Sequence, residues 1–147
     1  MTIGIWDDTY WTGDRFVDAQ HQELFQLVNE LHDAIVAGRG KEVLTSALSK
    51  VTNYTVEHFE EEECLMSEMH YPDLCSHKRK HQGLTEKVMD LAEKFQAGKM
   101  TLPITLSHFL RNWLSHHIRE DDIAFIKYVQ AQRGSGQGAS TAVIAPR

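Results

Sequence analysis

Apolar positions recur in alternating steps of three and four through four windows of the chain, the spacing that keeps one face of an α-helix apolar. The first stripe is Val17, His21, Leu24, Val28, Leu31, Ile35, and the second is Leu44, Leu48, Val51, Thr55, His58, Glu62, Leu65, Met69. The third is Leu74, His77, His81, Leu84, Val88, Leu91, Phe95. The fourth runs Leu106, Leu110, Trp113, His117 and resumes one residue later as Ile118, Asp122, Phe125, Val129. Gly38-Arg39-Gly40, Tyr71-Pro72-Asp73 and the stretch Gly98–Pro103 separate the stripes. Connections this short make consecutive helices antiparallel neighbours. The pattern therefore predicts an all-α chain, an up-down-up-down antiparallel four-helix bundle. Its helices should hold about 20–28 residues each, roughly 30–40 Å at the usual rise. Residues 1–15 carry two tryptophans but no helical period and read as a loop packed along the bundle. The bundle is expected over 1–131, with the Gly/Ser-rich stretch 132–147 as a flexible tail or linker.

Composition narrows the function classes. The 147 residues are 41% hydrophobic and 24% charged, enough apolar material for one domain with a sizeable core. A net charge of −6 leaves no basic face to neutralise phosphates, which argues against nucleic acid. No apolar run approaches the roughly 20 residues that span a bilayer, so no membrane partner is expected. The N-terminus lacks the basic-then-apolar pattern of a secretion signal. Two cysteines, Cys64 and Cys75, make no disulfide framework, and a reducing cytoplasm is the expected compartment.

The chemistry lies in the polar residues of the apolar stripes: His21, His58, Glu62, His77, His81, His117 and Asp122. Burying so many polar groups costs several kcal/mol unless each finds a partner. Residues four apart share a helix face, so His58/Glu62 and His77/His81 each project together. In an antiparallel bundle the start of helix one, the end of helix two, the start of helix three and the later half of helix four share one end. Seven donors thus converge on one small volume. A single histidine of this kind is most simply a hydrogen-bonded core residue, but five imidazoles beside two carboxylates need cations. Neutral imidazole with carboxylate suits iron, zinc or manganese. Seven ligands exceed one tetrahedral zinc and fit two octahedral ions bridged by the carboxylates.

Helix four poses a spacing problem. His117 and Asp122 are five apart, about 140° around a regular helix. The stripe slips by one residue at the same place, which predicts a π-type bulge near 117–122 that turns both side chains inward. Asp121, at the regular spacing from His117, is the rival for the carboxylate, and His116 the rival for the imidazole.

A lone His21, H-F-E-E-E (His58 to Glu62), H-K-R-K-H (His77 to His81) and H-I-R-E-D-D (His117 to Asp122), with Trp113 one turn before His117, together resemble the hemerythrin family and its single-domain bacterial members. The resemblance covers about residues 3–130 and fills all seven ligand positions. It implies two non-haem iron ions per chain. One iron would be held by His77, His81 and His117 and the other by His21 and His58, with Glu62, Asp122 and an oxo or hydroxo group as bridges. The three-histidine iron is then saturated, whereas the two-histidine iron keeps one open position for dioxygen. The implied function is reversible dioxygen binding for storage, transport or delivery, with no catalytic residue assigned. An oxygen or redox sensor module and a di-iron enzyme (ferroxidase, peroxidase or nitric-oxide chemistry) are the alternatives. A downstream oxygen-using enzyme or signalling protein is the implied partner besides dioxygen. Phe25, Phe59, Trp113, Leu114 and Ile118 are candidate walls of an oxygen pocket, and each also fits plain bundle core.

Other polar residues read as structure. His32 lies about 16 Å along helix one from His21, too far to ligate, and is expected at the core boundary. His70 and His108 lack partner spacing. Glu60, Glu61 and Glu63 read as a solvated face, offset by the outward Lys78, Arg79 and Lys80. Cys64 and Cys75 read as free thiols, a redox-linked disulfide being the alternative.

Overall fold

The computed structural model describes residues 3–134. Helix α1 spans Arg15–Val36, α2 Lys41–Glu68, α3 Leu74–Gln96 and α4 Ile104–His117. A π turn over Ile118–Asp122 then joins α4 without a break to α5, Ile123–Gly134. The α4–π–α5 rod is the fourth member of an all-α four-helix bundle. It is longer than the expected range, because nothing between Pro103 and Gly134 breaks it. Its helix continues three residues beyond the expected domain edge at 131. Residues 135–147, most of the expected tail, lie outside the described residues.

Local chemistry sets the ends. Asp14 caps α1, its carboxylate accepting from the Phe16 and Val17 amides at 3.0 Å each. Gly38 closes α1 at φ +63°, with the Arg39 amide donating back to the Ala34 carbonyl at 3.1 Å. The same closure ends α2, but there His70 occupies the left-handed position at φ 53°. The Tyr71 amide donates to the Met66 carbonyl at 2.9 Å.

The expected N-terminal loop contains one 3-10 turn, Asp8–Tyr10, and is strapped to α1 and α4. Asn29 holds Gly4 at both ends of its peptide, accepting from the amide at 2.8 Å and donating to the carbonyl at 2.9 Å. Tyr10 reaches the Ser115 hydroxyl at 2.7 Å, and Trp6 and Tyr10 pack on Phe25.

The apolar interior divides in two. The larger cluster gathers Leu24, Val28, Leu31, Leu48, Val51, Phe59, Leu84, Leu110, Leu114 and Ile118 among others. The smaller holds Val17, Met66, Phe125, Ile126 and Val129. Along α1 the order is Val17, His21, Leu24, and along the fourth rod Leu114, His117, Asp122, Phe125, so a polar layer separates the clusters. Among the described residues, no helix is long and apolar enough to cross a membrane.

Candidate metal centre

Each helix delivers its donors from the face that its stripe turns inward. α1 supplies His21, α2 supplies His58 and Glu62 one turn apart, and α3 supplies His77 and His81 one turn apart. The fourth rod supplies His117 and, through the π turn, Asp122. That turn accommodates the five-residue spacing. Asp122 is 1% exposed, while Asp121 lies half-buried on the flank, and His117 is buried while His116 is exposed. All seven predicted residues are buried and meet in one layer.

Their donor atoms fall into two sets. Glu62, His77, His81, His117 and Asp122 form a set of five, and His21, His58, Glu62 and Asp122 a set of four. Both carboxylates belong to both sets, and within each set all donor atoms lie within 4.8 Å of one another. In the larger set, His77 Nε2 lies 2.5 Å from Glu62 Oε1 and 3.1 Å from Asp122 Oδ1. His117 Nε2 is 3.1 Å from the same Asp122 oxygen and 3.0 Å from His81 Nε2. In the smaller set, His21 Nε2 stands 3.2 Å from His58 Nε2 and 3.1 Å from Asp122 Oδ2, and His58 Nε2 is 3.4 Å from Glu62 Oε2. Each carboxylate thus turns one oxygen to each set.

These separations suit metal coordination. With bonds of about 2.1 Å, neighbouring donors of an octahedral ion stand about 3.0 Å apart and opposite donors about 4.2 Å. Glu62 Oε1, His77 Nε2 and Asp122 Oδ1 are buried and, among the described residues, have no hydrogen-bond partner outside the donor cluster; they crowd one shared space. A cation there would satisfy all three. The donor set fits a metal.

Without one, protons take the role of cation. Burial opposes charge on His77, but the hydrogen bonds and charges of Asp122 and Glu62 outweigh it and raise its pKa to about 9. Burial likewise opposes charge on His117, yet the Asp122 charge and the close carboxylates of Asp121 and Asp122 carry it to about 10. For His81 burial wins, and the pKa falls to about 3. Burial would raise the Asp122 pKa, but the His117 charge and hydrogen bonds from His117, His21 and His77 hold it well below the usual carboxylate range.

A second ring of polar groups was not legible from spacing alone. Gln20 Oε1 accepts from His58 Nδ1 at 2.6 Å and Glu63 Oε2 from His81 Nδ1 at 2.8 Å, while Asp121 Oδ2 lies 3.0 Å from His117 Nδ1 as an ion pair. Glu63 therefore leaves the expected solvated face, because α3 brings His81 against it. Asp121 at i+4 from His117 carried a local signal; Gln20 and Glu63 act across helices and carried none. Lys78 and Lys80 do point outward and offset charge, at 4.0 Å from Glu63 and 2.7 Å from Asp121.

The candidate pocket residues separate into two groups. Phe59 stacks flat on the His81 ring, 3.7 Å between centroids, and Trp113 stacks on His117 at 4.4 Å. Phe25, Leu114 and Ile118 are buried in the larger apolar cluster, Phe25 against Trp6 and Tyr10. His32 is more deeply placed than expected. It is 2% exposed, with Nδ1 2.9 Å from the Ser107 hydroxyl and its ring edge-on to His108. Cys64 and Cys75 are exposed free thiols.

The model of the hemerythrin HHE cation binding domain matches residues 12–128, the span that delivers every donor described above. The chain belongs to the hemerythrin family. It is 34% identical to the bacteriohemerythrin of Stenotrophomonas maltophilia over 131 residues, 89% of this chain and 84% of that one. It is 35% identical to the bacteriohemerythrin of Methylococcus capsulatus over 113 residues, 77% and 86% of the respective chains. The crystal structure of wild-type hemerythrin superposes with a TM-score of 0.82 at 31% identity, covering 86% of this chain and 98% of that one. A single-substitution variant of hemerythrin superposes with a TM-score of 0.83 at the same identity. This family member thus carries a cation-binding domain with a buried His/Glu/Asp cluster able to hold metal.

Proposed function

We propose that the chain binds dioxygen reversibly at a non-haem di-iron centre, for oxygen storage, transport or delivery. The carrying observation is the pair of donor sets, five and four, that share both Glu62 and Asp122. In this reading His77, His81 and His117 would hold one iron and His21 and His58 the other, with Glu62 and Asp122 available to both. Two ferrous ions held there would supply the reversible electron exchange that dioxygen binding requires.

The chain's own residues account for the rest. As metal ligands the five imidazoles are neutral, so the ligand set itself carries only two negative charges, from Glu62 and Asp122. Four-glutamate di-iron bundles are more anionic and better suited to strongly oxidised metal. The four-donor position is one protein ligand short of its neighbour, which leaves it as the place where an exogenous ligand enters. Phe59 and Trp113 cover the faces of His81 and His117 and, with the buried Leu114 and Ile118, keep water from the imidazoles. Phe25 supports that wall from beneath the N-terminal strap. The exposed free thiols Cys64 and Cys75 support a reducing, cytosolic setting.

Iron analysis with optical spectroscopy tests this. The reduced, iron-loaded protein should contain two irons per chain, gain a visible charge-transfer band in air and lose it on degassing. One iron or none would overturn the proposal. Continuous oxygen consumption over many turnovers would replace carriage with enzymatic chemistry.

A further inference from the structure

The groups behind the donor imidazoles differ between the two sets. In the four-donor set, the Gln20 amide nitrogen donates to Glu61 Oε2 at 3.0 Å. A carboxylate only accepts, so Glu61 turns the amide nitrogen outward and sets the Gln20 oxygen against His58 Nδ1, 2.6 Å away. The His58 proton therefore sits on Nδ1, and the lone pair of Nε2 faces the shared space. The other imidazole of that set, His21, has a buried Nδ1 with no hydrogen-bond partner among the described residues. In the five-donor set, His81 instead donates to the carboxylate of Glu63, and His117 Nδ1 faces the carboxylate of Asp121 as an ion pair at 3.0 Å.

A carboxylate polarises an imidazole N–H more strongly than an amide does and leaves the opposite nitrogen a better donor. Lys78 and Lys80 face those carboxylates, but their side chains are 64% and 49% exposed, and water screens their effect.

We propose that Gln20 is a positioning residue that makes the two metal positions unequal: a neutral amide behind His58, and no acceptor behind His21, hold the four-donor ion more loosely than the carboxylate-backed His81 and His117 hold its neighbour. The inference rests on the two-metal reading above. The four-donor ion is the first to leave, and its weaker donors make it the stronger Lewis acid toward an incoming ligand.

Donor count alone also favours the five-donor position, so the test must isolate the outer acceptors. Zinc serves as a redox-silent probe, and native mass spectrometry of the full chain counts its zero-, one- and two-metal forms against a chelator. The wild type should release zinc in two separated steps. The charge-neutral exchange Gln20→Glu with Glu61→Gln keeps a hydrogen bond between positions 20 and 61 but places a carboxylate behind His58. It should tighten the weaker step about tenfold and leave the stronger step in place. Glu63→Gln and Asp121→Asn should each loosen the stronger step about 10- to 100-fold. Circular dichroism confirms that each variant folds. The inference fails, with the two-metal reading intact, if two zincs bind but the exchange moves neither step, or if the carboxylate variants loosen both steps alike. Fewer than two zincs in the wild type would overturn both.

Discussion

At the scale of single residues, the metal-free layer satisfies its carboxylates with protons that a metal must displace. His77 and His117, with pKa values raised to about 9 and about 10, are protonated near neutral pH. Metal uptake at pH 7 should therefore release close to two protons per chain, and affinity should rise with pH until both have ionised. Calorimetry of metal binding in buffers of different ionisation enthalpy measures that number; zero protons released would show the shifts to be wrong. The same shifts give the metal-free fold a pH dependence of known sign. The contribution of His77 and His117 is complete below their unfolded value near 6.5 and is lost as pH rises to 9–10. His81, lowered to about 3, works oppositely: its contribution is present above 6.5 and is lost as pH falls towards 3. Thermal melts of the metal-free protein should therefore decline on both the alkaline and the acidic side. The seven donors were legible because each interrupts an apolar stripe. Two of the acceptors behind them were not, since Gln20 meets His58 and Glu63 meets His81 across helices.

At the scale of elements, two local features carry separate predictions. His70 closes α2 in the left-handed region, where a Cβ costs about 1–2 kcal/mol and glycine costs far less. His70→Gly should raise Tm by about 2–4 °C, net of the entropy that glycine adds to the unfolded chain, and leave metal content unchanged. A loss of metal would mean that His70 reaches the centre after all. The N-terminal strap is held by a close approach. A Cβ at Gly4 would sit 2.6 Å from Phe25 Cδ1, and Phe25 is itself pinned between Trp6 and Tyr10. Gly4→Ala should cost about 1–3 kcal/mol, read as a lower Tm, and should quench or shift the Trp6 fluorescence. An unchanged melt would show the strap to be loose. The π turn belongs to this scale too. The one-residue slip between the Trp113/His117 and Ile118/Asp122 faces announced it, because no regular helix puts residues five apart on one side.

For the whole molecule, the polar layer lies between two apolar clusters, so that the centre joins the halves of the interior. Loading with metal stabilises the folded state by mass action, about 4 kcal/mol at a free concentration near a thousandfold over the dissociation constant. Stripping the metal with a chelator should lower Tm by roughly 10 °C, and returning it should restore the melt. Equal melting with and without metal would show that the bundle closes unaided.

Four amphipathic helices, their short antiparallel turns and the shared end of the seven donors were determined by the sequence alone. The reason is that periodicity and turn chemistry are properties of neighbouring residues. Tertiary packing decided the rest: that Glu62 and Asp122 each turn one oxygen to both donor sets, that Ser107 receives a deeply buried His32, and that an amide backs one imidazole while carboxylates back two others. Those pairings depend on how four rods settle against one another, a distance between remote segments that no spacing along the chain encodes.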